Sequence, residues 1–120
     1  MHEFSLASAL VDQLLRISAA HADSRITEVE VACGVMQQVE PDALRLAFAA
    51  VTADTPAANA RLVLSEEQIV AECRQCGTRY DAHIDDLRCR TCVVADCQIL
   101  AGRDVILRSV TLEQPDESSP

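Results

Sequence analysis

The chain has 120 residues and a formal charge of −9, with six cysteines, two phenylalanines, one tyrosine and no tryptophan. That length allows one ordinary domain, or one small domain with a metal-stapled appendage. The acidic balance repels phosphate, and nucleic-acid binding needs a basic face, so nucleic acid is not an expected partner. With so few aromatics (Phe4, Phe48, Tyr80) the core has to be aliphatic. His2 and Glu3 stand where a signal peptide carries basic residues, and no apolar run approaches a membrane span. The expectation is a cytoplasmic protein with no membrane partner.

In chain order, Leu6, Leu10, Leu14 and Ile17 fall on one helical stripe, widened by Val11 and Leu15, which predicts a helix from Ser5 to Ala20. Ser5 or Ser8 is placed to cap it. A polar break over His21–Ser24 leads to a strand from Ile26 to Val35, where Val29, Val31, Cys33 and Val35 alternate with Glu28, Glu30 and Ala32. Cys33 reads as a small buried hydrophobe. Pro41 opens a second helix, with Glu40 and Asp42 favourable at its start and Leu44, Ala47, Phe48 and Val51 facing inward. The run from Asp54 to Asn59 ends it.

Leu62 and Leu64 begin a strand expected to continue through Ile69–Val70, leaving Glu66 and Glu67 exposed. Gln98–Leu100 turns at Gly102 into a β-rich run from Val105 to Leu112. Residues 114–120 are acidic and polar, with Pro near both ends, and read as a disordered tail. The fold class implied is α+β, a small three-stranded sheet with two helices on one face and a zinc-knuckle, zinc-ribbon-like insert.

That insert carries the clearest chemistry. Cys73-Arg74-Gln75-Cys76-Gly77 and Cys89-Arg90-Thr91-Cys92 are paired Cys-x-x-Cys knuckles, the usual form of a tetrathiolate zinc site. Two intervening residues let both sulfurs of a knuckle reach one ion about 2.3 Å away. Gly77 suits a turn that needs positive φ, whereas Val93 stands at the matching place after Cys92. Four thiolates leave no open position for water, so the zinc is structural rather than catalytic. Asp81, Asp85 and Asp86 read as solvated loop residues. Cys97, five residues beyond Cys92, is an alternative to Cys92 as a ligand or a separate thiol.

The amino terminus offers a second donor set. A residue as bulky as His2 keeps the initiator Met1 in place. The α-amine, the His2 amide and His2 Nδ1 then chelate one ion, or the amides of His2 and Glu3 do so with the same ring nitrogen. Planar nitrogen coordination of this kind suits Ni(II) or Cu(II). A fourth ligand has to come from elsewhere, and His21 and His83 are the other imidazoles.

Met1-His2-Glu3-Phe4-Ser5-Leu6-Ala7, the strand ending Cys33-Gly34-Val35, the helix after Val39-Glu40-Pro41 and the paired knuckles together resemble the HypA/HybF family. Gln98 to Asp104 followed by an apolar strand resembles the family's ending, so the likeness runs from Met1 to about Glu113. The resemblance implies a nickel metallochaperone of [NiFe]-hydrogenase maturation and not an enzyme. It implies Ni(II) carried at His2 with Glu3 beside it, and structural Zn(II) at Cys73, Cys76, Cys89 and Cys92. The partners implied are a HypB-type GTPase and the hydrogenase large-subunit precursor, with urease as a further recipient in some relatives. Residues 1–70 and 98–113 then form the nickel-binding α/β domain and residues 71–97 the zinc-binding domain. The family usually has Cys-Pro-x-Cys-Gly at the second knuckle, where this chain has Cys89-Arg90-Thr91-Cys92-Val93. The rival readings are a zinc-ribbon interaction module without nickel transfer, and a redox protein with a reactive Cys-x-x-Cys, whose thiols would be accessible.

Overall fold

The structure, a computed structural model, describes residues 2–114. In chain order it contains helix α1 (His2–Ala20), strand β1 (Arg25–Gly34), a 3₁₀ turn (Val35–Gln37) and helix α2 (Pro41–Thr52). Strands β2 (Arg61–Glu67), β3 (Ile69–Cys73), β4 (Arg79–Ala82), β5 (Cys97–Ala101) and β6 (Val105–Glu113) follow. One three-stranded sheet has the order β2-β1-β6, with both helices on one face; a second has the order β4-β3-β5. The α+β class with two helices is therefore as expected, and the second sheet is an addition. Met1 and residues 115–120, where most of the expected tail falls, lie outside the described residues.

The chain divides into two compact units. Among the described residues, the first comprises residues 2–31, 39–64 and 107–114, and the second residues 32–38 and 65–106. The second unit thus takes in residues 32–38, 65–70 and 98–106 together with the expected 71–97 segment.

In the first unit α1 and α2 pack on each other. The buried stripe of α1 is Ala7, Leu10, Val11, Leu14 and Ser18. It is rotated from the expected one, so that Leu6 and Ile17 are only half-buried. A buried serine is affordable there because its hydroxyl donates to the Ser24 carbonyl at 2.6 Å. The helix starts three residues earlier than its apolar pattern. It stops where Ala22 and Asp23 both turn to positive φ. α2 is capped by the Glu40 carboxylate, which accepts from the Ala43 N–H at 2.6 Å, and Pro41 occupies the first turn. Leu44, Phe48 and Thr52 are its buried residues, while Ala47 and Val51 are half-buried. Ile26, Val29, Val31 and Leu62 complete this aliphatic core from the strands.

The single strand expected over residues 62–70 is two. It breaks at Gln68, and β3 enters the second sheet, antiparallel to β4 and β5. The break coincides with a close approach. Gly102 sits at φ +88, and a Cβ on it would lie 2.6 Å from the Gln68 carbonyl oxygen. Glu67, expected to be solvent-facing, is half-buried because its carboxylate accepts the Gly102 N–H at 3.0 Å. Gly34 permits the matching contact, since a Cβ there would meet the Gly102 backbone at 2.5 Å. The Gly34 and Met36 N–H groups then donate to the Asp104 and Gly102 carbonyls, both at 2.9 Å. Cys33 is half-buried rather than fully buried, and burial followed by the Glu66 charge pushes its thiol pKa up.

Candidate metal centre

The second unit is organised by four sulfurs. Cys73, the last residue of β3, is 1 % exposed, and so is Cys89 on its irregular loop; Cys92 is half-buried and Cys76 exposed. All four Sγ atoms lie within 4.8 Å of one another, and Cys76 Sγ is 3.7 Å from Cys89 Sγ. A tetrahedron with metal–sulfur bonds of about 2.3 Å has edges of about 3.8 Å. The cluster therefore fits one tetrahedral, thiophilic ion after a small contraction.

The backbone explains how the knuckles reach that arrangement. In the first, the Gly77 N–H donates to the Cys73 carbonyl at 2.9 Å and the Cys73 N–H to the Thr78 carbonyl at 2.9 Å. In the second, the Val93 N–H donates to the Cys89 carbonyl at 2.7 Å and the Cys89 N–H to the Val94 carbonyl at 2.9 Å. The two turns are thus hydrogen-bonded alike. Gly77 has φ +78 and Val93 has φ +55. The missing glycine leaves a β-branched residue in the left-handed region, which costs it about 1–2 kcal/mol.

Val93 is 63 % exposed, so little packing offsets that strain. Val93→Gly is expected to stabilise the metal-loaded protein by about 1 kcal/mol, after the larger backbone freedom of glycine in the unfolded chain is subtracted. The check is denaturant unfolding of both loaded proteins; a loss of stability would show that the Val93 side chain makes a contact that outweighs the strain.

Around the cluster, Thr78 Oγ1 is 3.2 Å from Cys76 Sγ, and hydrogen bonds from the Thr78 side chain and backbone lower the Cys76 thiol pKa to about 6. That favours the thiolate a metal requires. Cys92 is pushed up to about 12, first by its hydrogen bond with Cys76 and then by burial. Adjoining thiols cannot all ionise together without a cation between them. Tyr80 donates its hydroxyl to the Leu87 carbonyl at 2.6 Å, tying down the segment that leads to Cys89. Burial, and then Cys97, raise its phenol well above the usual range. The nearby arginines are matched on the surface, Arg79 with Glu72 at 3.0 Å, Arg88 with Asp86 at 2.9 Å and Arg74 with Asp96 at 3.3 Å. Asp81, Asp85 and Asp86 are exposed as expected, but Asp81 is on strand β4, opposite Val70, rather than in a loop. Cys97 is not part of the four-sulfur group; its Sγ lies 3.9 Å from the Leu87 carbonyl oxygen.

Of the other predicted donors, His83 belongs to the second unit, where it is exposed and its backbone is hydrogen-bonded to Asp86, and the rest belong to the first. His2 is the first residue of α1 and exposed, with Nδ1 3.6 Å from Glu3 Oε2. The same Glu3 oxygen accepts the Glu40 N–H at 3.1 Å, so the start of α1 is tethered to the cap of α2. The Glu40 N–H, then Glu3's own N–H, hold the Glu3 carboxyl below its usual range, with His2 a smaller contributor. A depressed carboxyl contributes its tether above its ordinary range and loses it as the pH falls through the lowered value. His21, one of the two imidazoles available as a fourth donor, is at the opposite end of α1. Nineteen residues of helix separate it from His2 by about 28 Å. Its Nδ1 is also 2.8 Å from the Ile17 carbonyl oxygen, at the helix end. His21 and His2 therefore cannot share an ion within one chain. The Met1 backbone, the remaining member of the expected chelate, lies outside the described residues. Sequence reasoning missed the Glu3–Glu40 tether, because its donor is the backbone N–H of Glu40, which no side-chain pattern marks.

Residues 1–112 match the family model described as "Hydrogenase/urease nickel incorporation, metallochaperone, hypA". The chain belongs to the HypA family. It is similar to the hydrogenase maturation factor HypA of Chlorobaculum parvum, at 32% identity covering 94% of this chain and 100% of the relative. It is 33% identical to that of Chlorobium phaeobacteroides, with the same coverage. The solution structure of the Ni metallochaperone HypA from Helicobacter pylori superposes with a TM-score of 0.77 at 21% identity, covering 96% of this chain and 100% of that one. At that identity the likeness establishes the HypA fold. No helix among the described residues is long and apolar enough to cross a membrane.

Proposed function

We propose that this HypA-family chain carries Ni(II) at its amino terminus and passes it, in the cytoplasm, to the precursor of the [NiFe]-hydrogenase large subunit. A HypB-type GTPase serves as its partner, and Zn(II) on Cys73, Cys76, Cys89 and Cys92 is architectural. The observation that carries the nickel assignment is His2 at the head of α1, exposed and beside the tethered Glu3. The amides of His2 and Glu3 lie in the first turn, where the helical ladder offers no acceptor one turn back. Chelation through them therefore does not compete with that ladder. Nickel is the cargo: a site at the end of a chain is weakly preorganised and can give up its ion to a better-organised ligand set. The zinc site differs in kind, with two of its four thiols fully enclosed.

The test adds a short extension ahead of Met1, which removes the α-amine as a donor and buries His2 in the chain. Titrated with Ni(II) after zinc loading, the parent protein should take up one equivalent at this site and the extended protein should lose it. Hydrogenase activation in cells carrying the extended chain should fall accordingly. Normal nickel uptake by the extended protein would remove the α-amine from the donor set and leave the chelate through the His2 and Glu3 amides; no uptake by the zinc-loaded parent would instead favour a zinc-ribbon interaction module with no nickel transfer.

A further inference from the structure

Cys97 is, with Cys33, one of the two thiols that the metal assignment leaves over, and its position in the second sheet is specific. β3 and β5 run antiparallel with Cys73 directly opposite Cys97, followed by Glu72 opposite Gln98. Facing residues in such a ladder are either hydrogen-bonded pairs or the closer, non-bonded pairs. The backbone of Cys73 decides which. Its N–H donates to the Thr78 carbonyl and its carbonyl accepts the Gly77 N–H, while the adjoining Arg74 N–H donates to the Asp96 carbonyl at 3.0 Å. None of the Cys73 ladder bonds goes to Cys97.

The two cysteines thus form a non-hydrogen-bonded pair, with an expected Cα separation of about 4.5 Å and side chains on one face of the sheet. That lies inside the range of about 4.4–6.8 Å over which a disulfide closes without moving the backbone. Cys97 is half-buried and Cys73 enclosed, so of this pair Cys97 is the one an oxidant reaches.

The geometry points to a Cys73–Cys97 disulfide that forms under peroxide and unlatches the metal cluster. This rests on the zinc reading for its consequence, though not for the bond itself. The Cys97 sulfur attacks a peroxide oxygen: an S–O bond forms, the O–O bond breaks, and one water leaves with a sulfenic acid on Cys97. The Cys73 thiolate then attacks that sulfur. The S–S bond forms, the S–O bond breaks, and the departing hydroxide takes up a proton to become the second water. Two sulfurs have been oxidised by two electrons in total and one peroxide reduced. A metal held by the cluster would be left with the Cys76, Cys89 and Cys92 thiolates as its donors, and reduction of the disulfide by a thiol would restore Cys73 as the fourth. Ligand–ligand disulfides between Cys73 and Cys76, or Cys89 and Cys92, are the competing outcome.

The experiment begins with metal analysis, which must show one zinc per chain in the parent and in Cys97→Ser and Cys97→Ala. Each protein is then treated with hydrogen peroxide in the presence of a chromophoric zinc chelator. The parent should release zinc at least about five times faster than either variant, and added dithiol should reverse the loss. Trypsin puts Cys73 and Cys76 on different peptides, and cleavage before Asp96 separates Cys92 from Cys97. Non-reducing peptide mapping should therefore find Cys73 joined to Cys97 as the first product. Equal release rates, or a first disulfide between two cluster cysteines, overturns the proposal. A protein that holds no zinc at the outset fails the zinc reading instead, and mapping the metal-free thiols after diamide treatment still decides whether Cys73 pairs with Cys97.

Discussion

Cys76→Ala is expected to remove tight zinc binding and unfold the second unit, while far-UV circular dichroism of the helices in the first unit stays close to that of the parent. The reasoning is one of core size. Apart from the two enclosed cysteines, the buried apolar residues of the second unit are Ala32, Ile69, Ala71 and Ala82. Only one of these exceeds a methyl group, and burying an isoleucine supplies about 3 kcal/mol at most. Zinc on four thiolates contributes on the order of 10–16 kcal/mol, which is the term that makes such a region fold.

Cys76 is the right ligand to remove because it is exposed, so alanine there leaves no cavity. Zinc affinity should fall by well over 100-fold, and amide exchange should lose protection in β3, β4 and β5 while α1 and α2 keep theirs. Loss of the helical signal in step with the knuckles would mean that the two units fold as one.

How much of this could be read beforehand depends on the range over which each feature is encoded. The four-sulfur cluster was legible because ligand spacing is a local property: both knuckles are set within five or six residues, and their backbone bonding proves alike. The two helices were legible from period and caps, Pro41 and Glu40 above all. The strand break at Gln68 was not. Leu62 to Val70 is apolar enough to read as one strand, and what divides it is the approach of Gly102, thirty-four residues later. For the same reason Glu67 reads as a surface charge until its acceptor role toward the Gly102 N–H is seen. The buried stripe of α1 was misplaced because a serine was ranked as polar, although Ser18 finds its acceptor at Ser24 beyond the helix end. Cys97 shows the same limit: by spacing it competes with Cys92, and only strand register sets it opposite Cys73.

The other large effect is at the amino terminus. In His2→Ala the ring nitrogen is gone, while alanine is the most favourable residue for the helix that starts there. Folding is therefore preserved, and any change belongs to the missing ring nitrogen once the intact mass shows that Met1 is retained beside the smaller side chain. Nickel affinity in the zinc-loaded protein should drop on the order of 100-fold, about 2.7 kcal/mol, with zinc content unchanged. Because the chelating nitrogens must lose protons, the parent's nickel affinity should fall steadily as the pH is lowered, and the variant should show little of that slope.

Glu3→Gln separates the ligand from its support. The glutamine carbonyl can still accept the Glu40 N–H but lacks the charge that strengthens that bond. The effect on nickel should accordingly be a few-fold, and the Glu3 amide is retained for either chelate. Calorimetric titration reads all three proteins. If His2→Ala binds one equivalent as tightly as the parent, the terminal imidazole is not a nickel donor. If Glu3→Gln proves the more damaging of the two, the carboxylate itself holds the ion, and the tether to Glu40 is the arrangement from which it is released.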